Sequence, residues 1–175
     1  MISWASNIIV KHLFLILALI FISAMGRAIQ TNGVGAISKT GYWLLEIPVE
    51  TSRVSLFLLF LGGGSIFSGL KIISALFQMT RQEWKVVPNT MTRSLASHSM
   101  ELLATTIAMV AIALVINCFI RYGAESSKLL SDSSQFSLLK SFSVQSLTLF
   151  LKNLTVIPLV IIFEVWLIFK LLNKV

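Results

Sequence analysis

Four long apolar runs dominate the pattern of the chain. The first extends from Ile8 to Gly26 and is interrupted early by Lys11 and His12. The second extends from Val54 to about Met79, with Lys71 near its far end. The third, Leu102 to Ile120, carries no charge, and the fourth runs from about Phe150 to Leu172 with Lys152 at its start and Glu164 inside. A bilayer core takes about 20 apolar residues per helix. The runs are continuous, unlike the alternating segments of about ten residues in a membrane β-barrel. In hydrocarbon a helix satisfies its own backbone polar groups. The pattern therefore predicts an all-α integral membrane protein, one transmembrane domain over 1–175, with spans at about 8–26, 54–79, 102–120 and 150–172.

The connections differ in character. Arg27 to Arg53 holds Gly33, Gly35 and Gly41, then Tyr42-Trp43-Leu44-Leu45, an aromatic cluster suited to headgroup depth. Pro48 is expected to block a helix through Glu46 and Glu50. Thr80 to Met100 carries Arg81, Glu83, Trp84, Lys85, Pro88 and Arg93 and reads as a short basic turn. Arg121 to about Leu149 is rich in serine and becomes amphipathic from Phe136. Phe136, Leu139, Phe142, Leu147 and Phe150 fall near one helical face, which predicts an interfacial helix over 136–149 leading into the fourth span. The first run also has the form of a signal peptide, with Lys11, Leu13 to Ala24, and small-residue sites at Ala24-Met25-Gly26 or Gly26-Arg27-Ala28. Ile8 to Val10 lengthen it enough to span, which favours an uncleaved helix.

Composition sharpens the class. Hydrophobic residues make up 56% of the 175 residues and charged residues 12%. Disorder requires the opposite balance, and a soluble surface so apolar would aggregate. The single cysteine excludes an intramolecular disulfide, a CxxC pair and a cysteine-cluster zinc site; Cys118 itself reads as a small buried apolar residue. The net charge of +7 comes from fourteen Lys and Arg spread from Lys11 to Lys174 with no run of three, the pattern of membrane-flanking anchors rather than a nucleic-acid surface. Counts of Lys and Arg on the two sides are equal, seven and seven. The dense charge of the middle connection, against Glu46, Glu50, Glu125 and Asp132 on the other side, favours both termini and that connection in the cytoplasm.

Catalytic motifs are absent: no phosphate-binding glycine loop ending in Lys-Ser or Lys-Thr, no HExxH and no GxSxG. No cofactor is expected. His12 lies beside Lys11 and His98 in a Ser97-His98-Ser99 run, and both read as polar boundary residues rather than haem ligands. Three features stand out. Gly62-Gly63-Gly64-Ser65, Ser68 and Gly69 carry small-xxx-small spacing, which fits either a seam between subunits or packing within the chain. Consecutive glycines weaken a helix by about 1 kcal/mol each relative to alanine, so a bend is expected there. Ala104, Ala108 and Ala111 form a small face on the third span, suited to helix packing. Glu164 is an intramembrane charge whose internal basic candidate is Lys71; a packed structural acid ranks above a proton-coupled site.

The stretch from about Leu58 to Ile120 joins the apolar helix GGGSIFSGLKIISALF, the basic turn QMTRQEWKVVPNTMTR with Pro88, and an alanine-rich apolar helix. This layout resembles the TraQ-like small inner-membrane subunits of type IVB secretion systems, the Dot/Icm and IncI-type conjugation machines, and more loosely the pilin-type hairpin. The resemblance covers roughly a third of the chain. It implies a non-enzymatic structural or channel subunit of a transfer apparatus in the bacterial inner membrane. The partners it implies are the lipid bilayer, other secretion subunits and, as a homo-oligomer, further copies of the chain, with no direct nucleic-acid contact. The fourth span with Glu164 and the Ser-rich connection depart from a pilin hairpin and point to a platform or channel role. Two other classes remain open: a small transporter or pore former acting through Glu164, and a redox-complex anchor acting through the histidines.

Overall fold

Apolar runs become helices in the computed structural model, which describes residues 2–31, 37–133 and 143–172. Among the described residues there are six helices and no strand: α1 (Ile2–Lys11), α2 (Leu13–Gln30), α3 (Lys39–Leu61), α4 (Ile66–Phe77), α5 (Arg81–Ser133) and α6 (Val144–Leu171). Three segments are long and apolar enough to cross a membrane: α2, the Arg81–Ser126 part of α5, and α6. The second apolar run reaches that standard only as a bent pair, because α3 and α4 meet at 84°. The bend expected at the glycines within the 54–79 run is therefore a full elbow between two helices.

The elbow follows from Gly62, Gly63, Gly64 and Ser65. Gly64 N–H donates to Leu59 O at 2.8 Å and Gly63 N–H to Phe60 O at 3.1 Å, the paired bonds of a Schellman cap. Gly63 sits at φ +64°, where a side chain is disfavoured, and Gly64 at φ +109°. Ser65 then starts α4 as its N-cap, its hydroxyl accepting from Ser68 N–H at 3.4 Å. Gly64 and Ser65 thus precede α4, so the small-xxx-small spacing expected of Gly64 with Ser68 and Ser65 with Gly69 does not lie along one helix. Gly62 and Gly69 instead make close backbone contacts within the chain, Gly69 against the carbonyl end of Leu58.

Two further segments differ from expectation. Pro48 lies inside α3 rather than ending it. It lacks one donor, but α3 carries side chains bonded to other helices on both sides of it, Glu46 before and Arg53 after. The stretch 81–100 is helical rather than a turn. A capping box opens it: Thr80 N–H and hydroxyl donate to Glu83 Oε2 at 2.7 and 2.8 Å, and Glu83 N–H returns to Thr80 Oγ1. The bend of α5 comes later, at His98 (φ −119°, ψ 17°). Of the interfacial helix expected over 136–149, residues 136–142 lie outside the described residues, and 144–149 form the first turns of α6.

The chain divides into two compact units. The first comprises Met1–Leu13, Leu56–Ile112 and Val160–Val175. Its core gathers Ala5 and Ile8, the buried end of α3 from Leu58 to Leu61, and Val165 and Trp166. Trp4 packs on Phe60 and edge-on against Phe169, with ring centroids 6.1 and 5.7 Å apart. Lys170 Nζ pairs with Glu101 at 2.8 Å. The second unit comprises Phe14–Ser55 and Ala113–Leu159. It buries Ile16, Ile20, Ala24, Ala28, Val49, Ile120 and Ala124.

The elbow generates a prediction. A methyl at Gly63 meets nothing within 4 Å, so Gly63→Ala bears only the backbone strain, about 1–2 kcal/mol. A methyl at Gly64 would lie 2.5 Å from His12 Nε2, so Gly64→Ala adds a steric clash. Thermal unfolding of the detergent-solubilised protein is expected to rank Gly64→Ala below Gly63→Ala. Adding His12→Ala should recover part of the Gly64→Ala loss and none of the Gly63→Ala loss.

Candidate functional site

The densest chemistry lies in the second unit, where polar stripes on α2, α3 and α6 meet. Ser23, Arg27 and Gln30 on α2 are spaced four and three apart, as are Glu46, Glu50 and Arg53 on α3; Ser146 and Asn153 on α6 are seven apart. Each set therefore lies along one helical face. Gly26 permits the approach of α2 to α3, because Val49 occupies the space a side chain there would need.

Arg27 is the centre. Its guanidinium donates to both oxygens of Glu46, at 2.8 and 2.9 Å, in a bidentate fork. The same group reaches Glu50 Oε1 at 2.5 Å and Gln30 Oε1 at 3.0 Å. Gln30 Nε2 returns to Glu46 Oε2 at 2.8 Å and to Tyr42 O at 3.2 Å. Arg53 extends the network: Nη1 donates to Glu50 Oε1 at 2.8 Å, Nε to Ser23 Oγ at 3.2 Å and Nη2 to Asn153 Oδ1 at 2.5 Å. Asn153 Nδ2 in turn donates to Leu149 O at 2.8 Å. Beside it, Ser146 Oγ donates to Thr31 O at 2.7 Å.

Two arginines and two glutamates give this cluster a formal charge of zero. Arg27, Glu46 and Arg53 are 19–25% exposed, whereas Glu50 is 46% exposed. Charges withdrawn from water are tolerated when they are paired and their remaining hydrogen-bonding capacity is met. The cluster meets both conditions. It consequently acts as a clamp across α2, α3 and α6, with both carboxylates held in ion pairs.

Arg27, Glu46, Glu50 and Arg53 enter the sequence reading only as loop charges, and none of the expected packing or charge-site residues belongs to this clamp. Gly62, Gly63 and Gly64 form the elbow; Ser68 is exposed and Gly69 buried. Ala104, Ala108 and Ala111 face outward on α5. Cys118 is exposed on the same helix and not buried as expected, because this part of α5 has few neighbours within the chain. Glu164 and Lys71 are both exposed, and among the described residues neither forms an ion pair. His98 Nδ1 lies 2.8 Å from Ser97 Oγ and 3.2 Å from Ser94 O at the bend in α5. The signal that would have found the clamp is the helical spacing of polar residues on α2 and α3, hidden by reading Pro48 as a helix breaker.

Glu46 is more deeply placed than Glu50 and accepts the bidentate fork, so Glu46→Gln should cost more stability than Glu50→Gln. Breaking a fully buried pair costs about 3–5 kcal/mol, and partial exposure reduces this to about 2 kcal/mol for Glu46→Gln. Unfolding in mixed micelles measures the order; an equal or larger loss for Glu50→Gln would show that the fork is not the main contact. In comparisons with known proteins, the chain matches no family, no curated protein and no solved structure.

Proposed function

We propose that this chain is a non-enzymatic structural subunit of a multi-pass assembly in the bacterial inner membrane, of the type IV secretion and conjugal-transfer class its layout resembles. The observation that carries this reading is the contrast between α2 and α5. In its apolar window α2 has 39% of its residues buried within the chain, and α5 has 11%. Three helices are clamped together, and the most hydrophobic segment is left facing outward.

Lipid alone can cover an apolar helix. A protein neighbour is favoured by the outward Ala104, Ala108 and Ala111, which let another backbone come close where association depends on fit. Other subunits, or further copies of the chain, are the partners this face fits.

Site-directed cross-linking tests the reading. With Cys118→Ser as background, Ala108→Cys is expected to cross-link to a neighbouring subunit in native membranes. Ala108→Trp is expected to reduce co-purification of the assembly at least tenfold while membrane insertion is unchanged. An absence of adducts at position 108, together with intact assembly in Ala108→Trp, would overturn it.

A second reading, a small transporter or pore former, is favoured by Glu164. Its carboxylate is exposed and forms no ion pair among the described residues, in a candidate span where such a charge costs at least about 2.5 kcal/mol unless it meets protein or water. Under the subunit reading Glu164→Gln leaves proton flux in reconstituted vesicles at the background of empty vesicles, as in the wild type. Wild-type flux that Glu164→Gln abolishes, with assembly intact, would establish the transporter reading.

A further inference from the structure

The first unit contains a cavity of about 470 Å³ in the angle of the elbow, within the range of about 300–1,000 Å³ usual for small-molecule sites. Phe57 and Leu61 of α3, Ile73 and Leu76 of α4, Trp84 of α5 and Phe169 of α6 are among its walls. Every lining side chain is aliphatic, aromatic or a thioether, and none carries a charge. A polar solute would lose its hydration here without gaining hydrogen bonds.

Around Trp84 the chemistry changes. Trp84 lines the cavity and is itself half exposed. Arg81 and Lys85 stand three residues before and one after it, so all three share one face of α5. Among the described residues neither cation forms an ion pair, and the nearby Glu83 is turned to the Thr80 N–H and hydroxyl. Lys170, next to Phe169, is held by Glu101 and is not available. A tryptophan flanked by basic residues is the composition found at headgroup depth.

We propose that this cavity holds one acyl chain of an anionic phospholipid whose phosphate meets Arg81 and Lys85. Arg81 and Lys85 beside the Trp84 wall give an anionic headgroup a counter-charge that an apolar helix face would not use. An alkyl chain is narrow enough to enter lengthwise and apolar enough to be stabilised by these walls. Arg81 and Lys85 select the anionic headgroup over a zwitterionic one, by about tenfold.

Native mass spectrometry of the delipidated full-length protein, titrated with dioleoyl phosphatidylglycerol or dioleoyl phosphatidylcholine, tests this. One phosphatidylglycerol is expected to bind, about tenfold more tightly than phosphatidylcholine. Arg81→Gln with Lys85→Gln should remove the preference, and these exposed positions leave the fold unaffected. Ala75→Phe, which reduces the cavity, should remove retention of either lipid with helical content unchanged by circular dichroism. Equal affinity for the two lipids in the wild type, or undiminished retention by Ala75→Phe, would overturn the proposal. So would a second copy of the chain displaced by Ala75→Phe in place of a lipid.

Discussion

A charge removed from water must find its opposite, and in this protein that requirement is met by a four-residue ionic cluster. Arg27 and Arg53 face Glu46 and Glu50, with Gln30, Ser23 and Asn153 taking the remaining donors and acceptors. Apolar contact does little to choose neighbours in hydrocarbon, since lipid offers helices the same environment. Directional bonds do choose. The fork between Arg27 and Glu46 fixes the register of α2 against α3, and the bond from Arg53 to Asn153 adds α6. The close contact at Gly26 and Val49 follows from that register.

How much of this was visible in the sequence depends on the length scale of the signal. Long apolar runs gave helices because hydrophobic periodicity and backbone satisfaction in lipid act over twenty residues at once. The glycine triplet was readable as a weak point, and the structure turns it into an 84° elbow. Boundaries were harder. Pro48 reads in sequence as a helix stop and the segment around Pro88 as a turn, yet both prolines lie inside helices, the first within a segment bonded to its neighbours and the second shortly after a capping box. Local propensity was overridden by contacts distant in sequence.

The clamp was missed for a related reason. Its members come from positions 23 to 53 and from position 153, and no local window contains them together. Only the repeat of four and three in Ser23, Arg27, Gln30 and in Glu46, Glu50, Arg53 hints at paired faces. Glu164 drew attention instead because it stands alone in an apolar run, and it remains alone among the described residues. Isolation makes a charge conspicuous in sequence; pairing makes it structural.

The separation of the clamp's members along the chain bears on biogenesis. Arg27, Gln30, Glu46, Glu50 and Arg53 lie within one α2–α3 hairpin, so their charges cancel as soon as that hairpin has left the ribosome. Asn153 follows 100 residues later, a delay of about 5–20 s at ordinary rates of synthesis. The four clamp charges therefore offset one another before α6 is made, while the Arg53 Nη2–H donor still lacks the Asn153 Oδ1 that accepts from it in the folded chain. The bond from Arg53 to Asn153 thus ties the helix made late in synthesis to an ionic cluster whose members are all made early.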